Sequence, residues 1–413
     1  MKPLTPLRRT IALIALALGG FGIGVTEFAS MGLLPNIASD LIPGFDANPQ
    51  QEIARAGIVI TAYALGVVIG APLFAIFGAR ASHTRLTFLL LVLFVGGSLA
   101  SAAAPTFETL VLFRVLAGLP HGAYFGAASL IAARIMGPGS QGKGVALALS
   151  GLTIANVVGV PLATWLGQSL GWRWAYVLVA AIFAATLALA LAFLPRYAAN
   201  PDRDPRSELR ALANYRLWIM IAVGSIGFGG FFAVYSYVSE VTTRITGLEP
   251  PAVPWVLAVM GLGMTIGNLI GGWASDRNLV GTIVVGFATF VASLLVYTWV
   301  APSPVGLFVT VFSIGLTEAI LIPSIQARMI RIADEAELLG AAVNHAAFNV
   351  GNGLGAWLGG AVIAAGFGYL APGWVGIALA LVGFALALLS VYVERRDKAR
   401  SRNTVGIRVV GEA

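Results

Sequence analysis

The stretch GLTIANVVGVPLATWLG at residues 151–167 has a counterpart, NHAAFNVGNGLGAWLG, at residues 344–359. When the first stretch is shifted by 192 positions (357 minus 165), Trp165 falls on Trp357, and the Leu-Gly pairs that follow the two tryptophans also coincide. Each stretch lies in the fifth long apolar segment of its own half of the chain. The repeat therefore predicts two similar halves with six apolar segments each.

Composition indicates what these segments are. Of the 413 residues, 58% are hydrophobic and 10% are charged, whereas about 25% charged residues is typical of a soluble domain. Each segment is roughly 19 to 28 residues long, enough to cross a hydrocarbon core of about 30 Å, and none alternates as the strands of a membrane barrel do. The predicted spans are 11–34, 53–78, 86–104, 108–134, 144–170, 172–195, 216–240, 253–275, 279–301, 303–328, 338–365 and 371–393.

The predicted fold class is therefore an all-α integral membrane protein with twelve transmembrane helices in two pseudo-symmetric six-helix bundles. Its longest polar interruption, RYAANPDRDPRSELR, has the prolines and mixed charges of a linker. The predicted domains are an N-terminal bundle at 1–195, a cytoplasmic linker at 196–215, a C-terminal bundle at 216–393 and a basic cytoplasmic tail at 394–413.

The basic residues are unevenly distributed between the two sides of the membrane. With the amino terminus inside, only Arg55, Arg173 and Arg244 of the 25 Lys and Arg residues fall outside, and Arg114 falls within a span. The positive-inside rule then predicts that both termini are cytoplasmic.

The basic tail, with Arg395, Arg396, Lys398, Arg400 and Arg402, is expected to lie against the anionic headgroups of the lipid bilayer, and a specific partner for it stays open. No nucleic-acid partner is expected despite the net charge of +7.

Enzymatic chemistry is not expected. The chain has no cysteine, which excludes disulfides, thiolate metal sites and thiol nucleophiles. It also lacks a Gly-x-Ser-x-Gly nucleophile elbow and a His-Glu-x-x-His metal helix. No catalytic residue, metal or cofactor is predicted, and a receptor or scaffold would leave polar groups at mid-membrane unexplained.

Ionisable side chains inside the membrane are costly and mark candidate functional sites. Glu27 in the first span is the first candidate for proton coupling and Glu318 in the tenth is the second, because burial favours the protonated form of a carboxyl. Arg114 and His121 in the fourth span are further candidates. Three alternatives stay open: carboxyls held by helix–helix hydrogen bonds, a packed neutral histidine, and an arginine that is a structural clamp. His345 lies nearer the cytoplasmic end and is a weaker candidate.

Amides, hydroxyls and aromatic rings near these positions suit a small polar or amphipathic organic molecule. Asn156 and Asn349 are 193 positions apart, close to the repeat offset, so pseudo-symmetry is expected to bring both helices to a central cavity that at least one amide faces. Packing or lipid-facing roles for the single aromatics stay open. The predicted substrate-binding residues are Thr26, Glu27, His121, Tyr124, Asn156, Phe232, Tyr235, Asn349 and Asn352.

Glycines recur at four-residue spacing inside two spans and predict close helix packing. They are Gly118, Gly122 and Gly126 in the fourth span and Gly263, Gly267 and Gly271 in the eighth.

Short motifs point to a known family. GWASDR at 272–277 carries Gly272, Asp276 and Arg277 at the spacing of the Gly-x-x-x-Asp-Arg gating motif of the major facilitator superfamily. RVLAG at 114–118 is similar to the fourth-helix motif linked to proton transfer. A fifth-helix motif of antiporters is resembled by Gly151, Gly159, Pro161 and Gly167. The loop AIFGARASHTR at 75–85 departs from the first-half gating motif, because Ala79 replaces its acidic residue.

The chain thus resembles the twelve-helix drug:proton antiporter-1 group of that superfamily. TEF at 26–28, YALGVVIGAP at 63–72, GLPHGAYFG at 118–126 and ELLGAA at 337–342 resemble arabinose-efflux-type permeases, which are related to sugar, nucleoside and chloramphenicol exporters.

This resemblance implies a proton-coupled secondary transporter, monomeric in a bacterial cytoplasmic membrane. It would export a sugar, a nucleoside or a drug such as a phenicol by alternating access. A proton-coupled symporter for uptake is the alternative, and the fifth-helix motif argues against it.

Overall fold

The computed structural model of the chain describes residues 5–78, 81–137, 140–198, 214–333 and 337–410. Within these ranges the secondary structure is almost entirely helical, without strands. Residues 199–213 of the predicted linker and Ala79 of the first-half loop lie outside the described residues. The predicted division into domains at 195 and 215 therefore stays a prediction.

Twelve helices correspond to the twelve predicted spans, and we number them α1 to α12 in chain order. In the first half they are α1 (Pro6–Gly32), α2 (Ile58–Gly78), α3 (His83–Ala102), α4 (Phe107–Gly118 and His121–Met136), α5 (Gln141–Ile154, Ala155–Gly159 and Val160–Leu170) and α6 (Trp172–Phe193). In the second half they are α7 (Tyr215–Ala222, Val223–Gly227, Gly229–Tyr235, Val238–Glu240 and Val241–Ile245), α8 and α9 (the two arms of Val253–Val300), α10 (Pro304–Ala333), α11 (Glu337–Val362 and Ile363–Phe367) and α12 (Ala371–Val410). Short helices at Leu34–Leu41 and Pro49–Ala56 connect α1 to α2.

The helix Val253–Val300 makes two crossings. Its 48 residues would extend for about 70 Å at 1.5 Å per residue, more than twice the thickness of a hydrocarbon core. Asn278 breaks it with a non-helical backbone conformation (φ −150°, ψ 85°). The Asn278 side chain accepts a hydrogen bond of 2.9 Å from Gly281 N and so caps the start of α9. Eleven described helices are long and apolar enough to cross a membrane. The bent helix is one of the eleven and crosses twice, which gives twelve crossings.

The two halves pack in the same way at the repeated stretches. In the first half α5 lies on α1, where a Cβ added to Gly159 would come within 2.5 Å of Val25. In the second half α11 lies on α7, where a Cβ added to Gly351 would come within 2.9 Å of the Ser225 carbonyl oxygen. Glycine is needed at both positions because only hydrogen fits, and the internal repeat is thus explained by equivalent helix contacts.

The predicted glycine packing is confirmed in α8 and only partly in α4. Added Cβ atoms on Gly263 and Gly267 would lie 2.3 and 2.1 Å from backbone oxygens of α10. In α4, a Cβ on Gly118 would lie 2.2 Å from the Tyr63 carbonyl oxygen of α2, and one on Gly122 would lie 3.3 Å from a methyl group. A Cβ on Gly126 would meet open space, so the prediction of close packing is wrong for this last position.

The bundle has two ends. We call the end where α6 finishes and α7 begins the linker end, and the opposite end the distal end. At the distal end Arg173 NH1 and Trp172 Nε1 both donate hydrogen bonds to Asp40 Oδ2. Partial burial acts to raise the pKa of Asp40, but the hydrogen bonds from Arg173 and Trp172 outweigh it and lower the pKa.

The last helix is longer than its predicted span. The sequence predicts a span that ends at residue 393, whereas α12 continues to Val410. The residues beyond 393 are rich in Arg, Lys and Glu, which are good helix formers in water. The end of an apolar run shows where a helix leaves the lipid. It does not show where the helix itself ends.

Candidate functional site

A carboxyl in α1 and an amide in α11 join the two halves at the centre of the molecule. Asn352 Nδ2 donates a hydrogen bond of 3.1 Å to Glu27 Oε1, and both side chains are buried. Asn352 lies at the midpoint of α11, 15 residues from Glu337 and 15 from Phe367. The pair therefore lies deep in the bundle, where an ion is expensive and a hydrogen bond is strong.

Arg114 of α4 holds the residue before this glutamate. Its NH1 and NH2 groups donate hydrogen bonds of 3.0 and 2.8 Å to Oγ1 and O of Thr26. The guanidinium also lies over the ring of Tyr63, 4.3 Å from the centroid, and 5.4 Å from the ring centroid of Tyr176. A fully buried arginine is thus stabilised by a carbonyl, a hydroxyl and two aromatic faces. This geometry agrees with the structural clamp among the open alternatives and also keeps a positive charge beside Glu27.

A chain of rings leads from this clamp towards α11. The hydroxyl of Tyr63 and Nδ1 of His121 are 3.1 Å apart, at hydrogen-bond distance. The His121 ring lies 6.4 Å from that of His345, and His345 stacks on Phe125 with centroids 5.0 Å apart. His345, the weaker sequence candidate, therefore belongs to the same cluster as His121.

The two asparagines near the repeat offset occupy equivalent environments. Asn156 Nδ2 donates to Leu152 O, and Asn349 Nδ2 donates to His345 O, in each case over 3.1 Å to the carbonyl four residues earlier. The Oδ1 atoms of both are buried and accept no hydrogen bond from any described residue. Asn156 also lies in a π-helical turn, a feature that often marks functional sites. Two equivalent amides thus each keep one unused acceptor.

The predicted aromatic residues are divided between two places. Phe232 and Tyr235 of α7 pack on Phe28 of α1 with ring centroids 6.3 and 5.5 Å apart, next to Glu27. Tyr124 instead packs inside the first half and donates a hydrogen bond of 2.9 Å to Leu16 O. Its hydroxyl lies where a Cβ of Gly19 would be, so its contacts are those of a packing residue.

Glu318 lies near the middle of α10 and is buried. Its Oε2 atom finds no hydrogen-bond partner among the described residues. An unpartnered buried carboxyl oxygen is costly unless the group is protonated or meets a ligand. Glu318 therefore stays the second candidate for a group that binds a proton or a ligand. It lies in a different helix from Glu27 and Asn352.

The gating-motif residues lie at the linker end of α8. Gly272 has no atom within 4 Å of an added Cβ, and Asp276 and Arg277 are exposed. The Arg277 guanidinium lies 3.8 Å from the ring centroid of Trp273 and donates to the Trp273 carbonyl oxygen.

Sequence reasoning missed some residues of this site. Tyr63 lies within a stretch quoted for family resemblance, but nothing local in the sequence indicates its contacts with Arg114 and His121. Arg328 of α10 lies apart from this centre, at the linker end, where it is nearly fully buried, bonds Ser390 and pairs with Glu394 over 3.0 Å. It is the last residue of the predicted span 303–328, and nothing local in the sequence indicates these contacts.

The fold and this buried polar centre define a multi-pass membrane protein built from two equivalent six-helix halves. The sequence matches the Major Facilitator Superfamily over residues 16–243 and again over residues 217–410. The chain therefore belongs to the major facilitator superfamily.

Three relatives extend this match. The chain is 38% identical to the inner membrane transport protein YdhP of Escherichia coli K12 over 357 residues, which cover 86% of this chain and 90% of that protein. It is 32% identical to AraJ of the same organism over 86% of this chain and 89% of AraJ. It is 30% identical to the chloramphenicol resistance protein of Streptomyces lividans over 88% of this chain and 92% of that protein.

A solved structure supports the fold. A bacterial homologue of the human lysosomal transporter Spinster, in an inward-facing and occupied conformation, superposes with a TM-score of 0.69 at 15% identity. The match covers 94% of this chain and 98% of the homologue. The family and the sequence relatives show that the chain is a transporter with efflux-type relatives and not an enzyme.

Proposed function

We propose that this chain is a proton-coupled secondary transporter that exports a small polar or amphipathic organic molecule by alternating access. The observation that supports this most is the hydrogen bond from Asn352 to Glu27 between the two halves. Alternating access requires the halves to part and rejoin around a central site. Glu27 is therefore a group that binds a proton and also contributes to holding the halves together.

The chemistry of this bond couples the two events. As a carboxylate, Glu27 accepts a charge-assisted hydrogen bond, which is about twice as strong as a bond between neutral groups. Protonation removes the charge and weakens the contact with Asn352. Proton and substrate exchange if protonation of Glu27 and binding of substrate favour different arrangements of the two halves. Arg114 keeps α1 in place during this cycle through Thr26.

The unpartnered atoms suggest which molecules bind. Oδ1 of Asn156, Asn349 and Asn352 and Oε2 of Glu318 are hydrogen-bond acceptors without partners among the described residues. A substrate rich in O–H or N–H donors would satisfy them, while the aromatic faces of Phe232 and Tyr235 suit an apolar part of the same molecule. Sugars, nucleosides and phenicols have this character, and the chloramphenicol resistance protein among the relatives supports a phenicol as a first compound to test.

Orientation is part of the proposal. Both termini and the linker are placed in the cytoplasm of a bacterium on the charge asymmetry alone, so the distal end would face outward. A single cysteine introduced at residue 205 of this cysteine-free chain should react only after the membrane is made permeable. Labelling of intact cells at that residue would reverse the topology.

Proton coupling is tested in inside-out membrane vesicles from an expressing strain. A pH gradient is established and followed with a fluorescent dye, and sugars, nucleosides and phenicols are then added one at a time. An exported substrate should enter the vesicles and release protons from them, which lowers the gradient. Proton movement with the substrate would indicate a symporter, and substrate movement without protons would indicate a uniporter.

A further inference from the structure

A polar cavity lies at the linker end of the second half, away from the central site. Its volume is about 540 Å³. It is lined by residues of α7, α8, α9, α10 and α12: Asn214, Arg216, Arg277, Asn278, Leu279, Val280, Arg328, Arg331, Ile332, Ser390 and Glu394. Four arginines and one glutamate among the described lining residues give the cavity a strong positive charge. A cavity that only holds water does not need this excess of positive charge.

On one side of the cavity the polar side chains bond to one another. Arg328 donates hydrogen bonds of 3.1 and 3.0 Å from Nε and NH2 to Ser390 Oγ and forms an ion pair of 3.0 Å with Glu394. Its side chain is 5% exposed. This pair connects α10 to α12 and uses the one carboxylate among the described residues of the lining.

On the other side of the cavity, the guanidinium groups of Arg277 and Arg331 have N–H donors that form no hydrogen bond with a described residue. Arg277 lies on Trp273 and uses NH1 for the Trp273 carbonyl oxygen. Arg331 is exposed and forms no ion pair with a described residue. The planar fork of a guanidinium matches the oxygens of phosphate in two parallel hydrogen bonds. Two such forks on one cavity favour an anion with several equivalent oxygens.

Exposed aromatic side chains show the level of this cavity in the membrane. Trp218, Trp273 and Tyr392 are 55%, 60% and 62% exposed, and they lie on the linker-end parts of α7, α8 and α12. Exposed Trp and Tyr side chains concentrate where the membrane meets water. The cavity thus opens at the depth of lipid headgroups.

We propose that this cavity binds a phosphate-bearing anion. The headgroup of an anionic phospholipid and free phosphate share this chemistry, and the depth of the cavity favours the headgroup. A phosphate held by Arg277 and Arg331 would connect the α8–α9 turn to α10.

The test uses the full-length protein purified in a neutral detergent. Binding of dioleoyl phosphatidylglycerol, of dioleoyl phosphatidylcholine and of inorganic phosphate is measured separately by the rise of the unfolding temperature and by native mass spectrometry. The Arg277→Gln/Arg331→Gln variant is compared with a matched control, Arg85→Gln/Arg134→Gln. The control also loses two exposed arginines, from the linker ends of α3 and α4.

Wild-type protein and the control should bind phosphatidylglycerol at least tenfold more tightly than the cavity variant, and phosphatidylcholine should not distinguish the three. Competition by millimolar inorganic phosphate would support the site and assign it to a soluble phosphate. Binding of phosphatidylglycerol alone would assign it to the headgroup. Equal affinity of wild type and the cavity variant would overturn the proposal, as would an equal loss in the control.

A second variant guards against a folding defect in the first. Arg331→Lys keeps the charge and loses the fork, so the number of bound phosphatidylglycerol molecules should fall without a change in secondary structure by circular dichroism.

Discussion

Asn352 in α11 donates a hydrogen bond of 3.1 Å to Glu27 in α1, across 325 positions of sequence and between the two halves of the molecule. A hydrogen bond to a charged group contributes about 1.5–3 kcal/mol. This is the size of typical coupling free energies between sites. On the proposed mechanism, protonation of Glu27 weakens this bond and so shifts the balance between two arrangements of the halves.

Asn352→Leu should shift this balance towards distal opening, because the halves also meet on that side. There Gln50 and Thr61 donate hydrogen bonds to the carbonyl oxygens of Ile363 and Gly353. Loss of the donor leaves Glu27 without its partner in the other half, and we expect the open population to rise about tenfold. Ala356→Cys supplies the reporter, because Ala356 is fully buried and its carbonyl accepts a hydrogen bond from Tyr237 of α7. The rate of thiol labelling from the distal side is measured. Asn349→Leu, one turn away and bonded within its own helix, is the control, and equal labelling rates in both variants would contradict the account.

Gly118→Ala and Gly126→Ala should differ although both lie in α4. A Cβ on Gly118 would lie 2.2 Å from the Tyr63 carbonyl oxygen, whereas one on Gly126 meets nothing within 4 Å. We expect the first substitution to destabilise the protein by about 1–3 kcal/mol and the second to leave it unchanged. The unfolding temperature in detergent measures this. A loss of similar size in both variants would contradict the account, because helix propensity favours alanine over glycine at both positions.

Arg114→Lys should destabilise the first half. A lysine ammonium cannot reproduce the two parallel hydrogen bonds to Thr26 or lie flat over Tyr63, so we expect a cost of about 1–3 kcal/mol. Arg134→Lys is the matched control in the same helix, because Arg134 is exposed. The two unfolding temperatures are compared, and an equal decrease would remove the clamp from the account.

The Asp40–Arg173 contact at the distal end should be sensitive to acid. The pKa of Asp40 is lowered in the folded protein, so its stabilising contribution is present above the ordinary aspartate pKa of about 3.9. It is lost as the pH falls through the lower folded value. Above pH 5 the Asp40→Asn variant should unfold at a lower temperature than wild type, and the difference should shrink as the pH falls below the ordinary aspartate pKa. A difference that stays constant over this range would contradict the assignment.

The sequence predicted the fold well because the physical signals for it are local. Twenty apolar residues in a row are long enough to span lipid wherever they occur, and the repeated stretches 151–167 and 344–359 show that the halves are equivalent. The end of α12 was not predictable, since its charged residues beyond 393 continue a helix outside lipid. The position of Gly126 on an open face also depends on which helix lies opposite, and spacing alone does not show this.

The candidate site was only partly predictable. The cost of burial singles out Glu27 and Arg114 in the sequence, but their partners come from other helices. Tyr63 is an ordinary aromatic residue of an apolar segment, and only its approach to Arg114 and His121 gives it a role. The pairing of Glu27 with Asn352 likewise depends on the contact between the halves. The partners of Arg328, Ser390 and Glu394, likewise come from another helix.

The most direct test of the account is proton-driven transport by Glu27→Gln in reconstituted vesicles. Glutamine has the shape of the protonated glutamate and cannot release a proton. We expect substrate binding within a few-fold of wild type, transport driven by a pH gradient reduced at least tenfold, and energy-independent exchange of substrate retained. Glu318→Gln, measured in parallel, shows whether the second carboxyl contributes. Proton-driven transport by Glu27→Gln at the wild-type rate would contradict the central claim that the carboxyl joining the two halves is the coupling site.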